Sequence, residues 1–202
     1  MRIALLVEGQ TERVFLPKLR EFLEGRVARP MPNIDPVTYD GRLPKGERLK
    51  RDVLRLLGDR KRPADAVIAL TDVYTGQREF ADAADARAQM REWVGAEPRF
   101  HPHAAQYDFE AWLLPYWPTI QRLAGSNRGS PGPHPENVDH DKPPSVRIRE
   151  VFLSGTKGKA YSKTRDAARI LRENDLIGAA AACPELKAFL NTVLALSGAA
   201  PI

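Results

Sequence analysis

Two short, unbroken apolar runs constrain this chain more than any other feature: residues 3–7 (Ile-Ala-Leu-Leu-Val) and residues 66–70 (Ala-Val-Ile-Ala-Leu). Runs of this length without polar alternation suit strands buried on both faces, as in a parallel sheet covered by helices on either side. Each is followed closely by a carboxylate, Glu8 after the first and Asp72 after the second. Gly9 permits a sharp turn, and Val14, Phe15, Leu16, Leu19, Phe22 and Leu23 recur at helical spacing, which predicts a helix from about Thr11 to about Leu23. In an open α/β sheet, ligands sit beyond the carboxyl ends of the strands, where this turn delivers Glu8 and Glu12. A helix N-terminus beside a Gly turn ordinarily receives anions. Two acids at that place point to a bound cation.

The rest of the chain repeats the pattern. After a loop through residues 30–36, Val37, Thr38 and Tyr39 predict a short second strand, and Leu49, Val53, Leu56 and Leu57 predict a helix over residues 45–57. Arg42, Lys45, Arg48, Lys50, Arg51 and Arg55 lie in or just before that helix, either as a solvated face or as a ridge that tracks phosphates. A third helix is expected over residues 83–94 and a fourth strand over 99–105, interrupted by Pro102. The run from Tyr107 to Leu114 reads as an aromatic-rich helix start, with Glu110 just beyond the fourth strand. Three strand ends thus present an acid each: Glu8, Asp72 and Glu110. In a βαβαβα order these loops converge, and with Glu12 they form a candidate site. Residues 125–144 read as a polar surface loop or lid, 145–152 as a short helix, 154–163 as a basic loop, and 164–174 and 184–196 as helices.

Three or four carboxylates without thiolates favour a hard cation, Mg²⁺ or Mn²⁺, over zinc. Such a site stabilises the charge on a phosphodiester during displacement. The net charge of +5 adds a mild pointer to nucleic acid, which a merely Arg-rich composition explains equally well. Lys163 is the expected cationic partner of a phosphate oxygen, with Lys157 and Lys159 beside it in the basic loop; the alternative is an ordinary basic loop. Glu8 has a second option as general acid or base, since crowded carboxylates do not all ionise easily.

Other constellations fail. Residues 155–160 read GTKGKA where a phosphate-binding loop requires GxxxxGK[ST], which argues against an NTPase. His101 and His103 lack zinc partners at standard spacing and read as structural; His134 and His140 carry no motif. The single cysteine, Cys183, precludes an intrachain disulfide and reads as a buried, inert thiol. Trp112, Tyr116 and Trp117 read as core rather than as a base-stacking platform. No stretch approaches the roughly 18 apolar residues of a membrane span, so a cytoplasmic protein is expected.

VEGQTE before an apolar helix, with an apolar strand ending in Asp about sixty residues later, resembles the TOPRIM domain, named for topoisomerases and primases. That domain carries a glutamate after its first strand and an Asp-x-Asp after a later one. TDVYTG, YDFEAWLL, PENVDHDKPPSVRI, the Tyr161-x-Lys163 step and CPELKAFL, in that order, resemble a narrower group. It is a bacterial TOPRIM-like family of unknown function related to the nuclease half of the overcoming-lysogenization-defect (OLD) proteins, with genes often beside an ABC or SMC-like ATPase. By this resemblance Glu8 and Glu12 match the EGxTE glutamates and Asp72 the first acid of Asp-x-Asp. Tyr74 stands where the second acid belongs, and a phenol is a poor Mg²⁺ ligand at neutral pH. Either Glu110 supplies the missing carboxylate, or the site holds one ion weakly, or catalysis has been lost.

The resemblance implies a single α/β domain: a TOPRIM/Rossmann-like core with a mainly parallel sheet over residues 1–124, and a loop and helical extension over 125–202 packed on it. Taken with the residues themselves, it points to a metal-dependent nuclease, with Glu8, Asp72 and Lys163 catalytic, Glu8, Glu12, Asp72 and Glu110 holding Mg²⁺ or Mn²⁺, and Lys157, Lys159 and Lys163 on nucleic acid. A partner ATPase and a role in phage defence are part of that expectation. The rivals are a non-catalytic adaptor, which Tyr74 favours, and a nucleotidyl or phosphoryl transferase, for which no nucleotide pocket is identifiable.

Overall fold

The computed structural model describes residues 1–28, 30–74, 79–137 and 142–202, and of residues 10–12 the backbone alone. Four strands, β1 (Arg2–Val7), β2 (Asn33–Thr38), β3 (Ala66–Asp72) and β4 (Phe100–Ala105), form one all-parallel sheet in the order β2-β1-β3-β4. The inner strands β1 and β3 are the two apolar runs, and from Ile3 to Val7 every residue is at most 1% exposed. The second strand begins four residues earlier than its apolar signal. Pro36 lies within it, and Pro102 lies within β4; both are edge strands, where a missing N–H is tolerated.

Helices cover both faces. On one, α2 (Gly46–Leu57) and α3 (Ala83–Val94) pack on Ala4, Leu6, Val67 and Ala69. On the other, α1 (Gln10–Leu23) meets Ile3, Leu5, Ile68 and Leu70 together with the C-terminal helices. Those are α4 (Trp117–Ala124), α5 (Pro144–Ser154), α6 (Lys163–Arg172), α7 (Leu176–Ala182) and α8 (Pro184–Leu196). The aromatic run after β4 is a 3₁₀ segment, Phe109–Tyr116, rather than the start of an α-helix. All of it but Pro115 is buried, so packing on every side replaces an amphipathic stripe. The α7 helix was not legible, because its sequence LIGAAAA lacks periodic contrast.

Topology fixes where a ligand belongs. The chain steps from β1 outward to β2, then crosses back over β1 to β3 and continues outward to β4. Strand order therefore reverses between β1 and β3, and the crevice past their carboxyl ends is the switch point where open α/β sheets bind ligands. Glu8 follows β1 and Asp72 closes β3.

Candidate functional site

Two groups of polar side chains flank this switch point, one on each side of the sheet plane. Val7 pairs with Leu70, so Glu8 stands level with Thr71, whose hydroxyl donates a short hydrogen bond to Glu8 Oε1. Both lie on the α2/α3 side, lining a void of about 10 Å³ with Arg42, Lys45, Glu79 and Trp93. That volume admits about one water. Glu79 is the local anchor: Arg42 Nη1 lies 2.8 Å from its Oε1, and Lys45 pairs with its other oxygen while lying over the Phe80 ring.

The second group lies on the opposite side. Strand alternation turns Asp72 away from Thr71, toward the face that carries Ala105, α6 and the 3₁₀ segment. Two residues past the end of β4 stands Tyr107, whose φ of 72° is left-handed, a conformation that costs a non-glycine residue about 1–3 kcal/mol. Burial of its ring and a 2.6 Å hydrogen bond from Tyr74 N to its carbonyl hold it there. The kink sets Asp108 and Glu110 at the start of the 3₁₀ segment, both inside the protein. Asp108 Oδ2 accepts from Ser145 N at 3.1 Å in the first turn of α5, whereas its buried Oδ1 has no partner among the described residues. Glu110 meets Lys163 Nζ at 3.3 Å and the Tyr161 hydroxyl at 3.4 Å.

Lys163 is set by the start of α6. Ser162 is the N-cap, its side chain accepting from Arg165 N, and Ser162 N in turn donates to Asp166 Oδ2 at 2.8 Å. This reciprocal cap fixes Lys163 as the first helical residue. Electrostatics bind the group together. Burial, then the charge of Asp108, pushes the Glu110 carboxyl up to about 7 against the pull of Lys163. Burial likewise raises Asp108 and holds the Tyr161 hydroxyl well above its ordinary value, so Tyr161 is a neutral donor. Burial works against the Lys163 ammonium, but Glu110, Asp108 and Asp72 outweigh it, and its pKa is raised. The cation is the shared counter-charge of three acids.

Of the residues expected at the site, the fold brings Lys163, Glu110 and Asp72 to one locus and sets Glu8 beside it across the sheet plane. The Glu12 side chain and His140 lie outside the described residues. Lys157 Nζ donates to the Arg122 carbonyl at 2.9 Å, at the end of α4, and Lys159 is exposed. Two contributors were not singled out in the sequence, Asp108 and Thr71, and Tyr161 was named there for the resemblance alone, without a role at the site. The alternation of acids in Tyr107-Asp108-Phe109-Glu110 was the one available signal for the first. Among the described residues no three His, Cys, Asp or Glu side chains are grouped closely enough to hold a metal ion by themselves. The donors present are carboxylates, which suits a hydrated Mg²⁺ that takes one or two protein oxygens and keeps its waters, not a closed cage.

The remaining candidates are structural. His103 is buried, bonded through Nε2 to Thr192 Oγ1 at 3.0 Å and edge-on to Phe189; burial pulls its pKa down to about 3, so it stays neutral. Cys183 is fully buried, and burial pushes its thiol far up, leaving it inert. Trp112, Tyr116 and Trp117 are core. No helix among the described residues is long and apolar enough to cross a membrane.

Among solved structures, the fold matches the C-terminal region of the Burkholderia pseudomallei OLD protein with a TM-score of 0.52 at 14% identity, covering 97% of this chain and 98% of that one. Two structures of the C-terminal region of the Xanthomonas campestris pv. campestris OLD protein score 0.49 and 0.47. They are 14% and 16% identical to this chain, covering 97% and 98% of it and 95% of each of theirs. No curated protein sequence matches. The TOPRIM-like α/β fold expected from the sequence is therefore the one observed. A family profile described as "Domain of unknown function (DUF4276)" matches residues 7–194, nearly the whole length, and the chain belongs to that family.

Proposed function

We propose that this protein is a metal-dependent nuclease that hydrolyses nucleic-acid phosphodiesters at the switch point of its sheet. The observation that carries the reading is the delivery of Lys163, from the distant α6, to the strand ends that bear Asp72, Asp108 and Glu110. A positive group held by buried acids at the mouth of an α/β sheet is preorganised for a phosphate oxygen and needs no rearrangement as charge develops. Likeness of fold to an OLD C-terminal region supports the same reading.

In this account Glu8 and Asp72 hold a Mg²⁺ or Mn²⁺ ion, with Glu12 and Glu110 as the further acids. When bound, the ion supplies Lewis-acid stabilisation of phosphate charge and a more acidic water. Thr71 fixes the rotamer of Glu8 through its hydroxyl. Lys163 binds and orients the non-bridging oxygen, while Glu110, itself bonded by the Tyr161 hydroxyl, fixes the ammonium. The protein would act in the cytoplasm as the effector of an ABC or SMC-like ATPase in defence against phage.

Incubating purified protein with plasmid and oligonucleotides in Mg²⁺ or Mn²⁺ tests the reading. Cleavage is expected, abolished by chelator and lowered at least a hundredfold in Glu8→Ala and in Asp72→Ala, by analogy with removal of a single preorganised group. Cleavage indifferent to both substitutions would refute it. The second reading, a non-catalytic adaptor, draws on Tyr74 at the second acid's position and on the lack of a three-acid group among the described residues. It predicts nucleic-acid binding without cleavage in either metal.

A further inference from the structure

The net charge of this protein is concentrated in one stretch. From Arg42 to Arg62, nine Lys or Arg residues stand against three acids, whereas the rest of the chain carries 22 basic and 23 acidic residues, for a total of +5. The excess is therefore a property of α2 and its two flanks. Helical geometry sorts it further. Leu49, Val53 and Leu57 face the sheet, which leaves Arg48, Arg51 and Arg55, at i, i+3 and i+7, in one line on the outer surface.

Ordinary solvated faces interleave charges of both signs. In this line only Arg55 has an acid nearby, Asp52 at 3.7 Å, which also accepts from the Tyr39 hydroxyl. Arg48 and Arg51 are exposed and, among the described residues, have no carboxylate within 4.0 Å. The helix also has a direction. It follows β2, so its N-terminus lies at the carboxyl edge of the sheet, where Arg42 and Lys45 line the void beside Glu8. From there the three arginines descend over about 10 Å of helix axis.

We propose that the outer face of α2, carrying Arg48, Arg51 and Arg55 in line from the Arg42–Lys45 corner, binds the phosphodiester backbone of nucleic acid as it passes the switch point. This rests on the nuclease reading for its direction, and on charge and geometry alone for its chemistry. Guanidinium groups are the fitting side chains, because their planar forks pair with phosphate oxygens in two-point fashion. The recognition is one of backbone charge without base readout, so affinity falls steeply with salt.

The test is fluorescence anisotropy of labelled duplex DNA, single-stranded DNA and single-stranded RNA, with full-length protein in EDTA from 50 to 200 mM salt. EDTA separates binding from cleavage. For at least one of the three ligands, R48E/R51E/R55E is expected to raise Kd on the order of tenfold to hundredfold. It is also expected to flatten the slope of log K against log salt by about 2 to 3. R48K/R51K/R55K keeps the slope. Should the triple-glutamate variant melt early, Arg51→Ala alone must flatten the slope by about 0.9. Unchanged Kd and slope for all three ligands, or no binding by the wild type, overturns the proposal; capture of an acidic protein in place of nucleic acid does so too. Failure of the nuclease reading appears differently, as intact binding in EDTA with no cleavage in Mn²⁺.

Discussion

Replacing Lys163 by Ala is expected to lower the cleavage rate on the order of 10²–10³-fold while leaving the fold intact. The rate loss follows from removing a preorganised cation aimed at developing phosphate charge. Fold retention is less obvious, because deleting one partner of a buried ion pair usually leaves an expensive charge behind. Glu110 escapes that penalty. Burial and Asp108 already place its carboxyl near 7, so without the ammonium it takes up a proton and remains neutral inside the protein. Tyr161 still donates to it. Lys163→Ala should therefore melt within a few degrees of wild type, and Lys163→Arg should recover part of the rate. Steady-state cleavage and thermal melts check both halves. Equal loss of rate and of melting temperature would reduce Lys163 to a structural ion pair.

A large loss of stability is expected from Trp112→Ala, about 3–5 kcal/mol. The ring is 1% exposed and lies among Phe15, Phe109 and Phe189, with centroids 6.1, 5.4 and 5.9 Å away. Its Nε1 donates to Glu136 Oε1 at 3.0 Å, and Glu136 in turn accepts from Glu185 N at the start of α8. The indole thus joins the 3₁₀ segment to the loop before α5 and to the last helix. In a domain of this size the loss corresponds to a fall in Tm on the order of 10 °C. Trp112→Phe keeps most of the packing and removes the N–H, so it should cost about 1–3 kcal/mol. A Trp112→Ala melt indistinguishable from wild type would contradict this account of the core.

What the sequence disclosed and what it withheld divide along physical lines. Central strands were legible because burial on both faces forbids polar residues, and Ile3 to Val7 and Ala66 to Leu70 carry none. The amphipathic helices α1 and α2 were legible from their apolar spacing. The 3₁₀ segment was not, since a fully buried run of Phe, Trp and Leu has no face to mark its period. Nor was Asp108, whose position depends on the left-handed turn at Tyr107, a conformation no sequence rule assigns to tyrosine. Glu110 and Lys163 were each identifiable as chemistry; their 3.3 Å meeting depended on how α6 docks against the 3₁₀ segment, a packing relation beyond local pattern.

The sheet plane that separates Glu8 from Asp72 makes the cation site the point on which the catalytic account turns. Both acids stand at the ends of adjacent parallel strands, yet Thr71 holds Glu8 on the α2 side while Asp72 faces Lys163. Anomalous scattering from crystals soaked in Mn²⁺ decides the matter directly. The account predicts a manganese peak past the ends of β1 and β3, within direct or one-water reach of both carboxylates and lost in Asp72→Ala. No peak there, or one that Glu8 cannot reach, would contradict it.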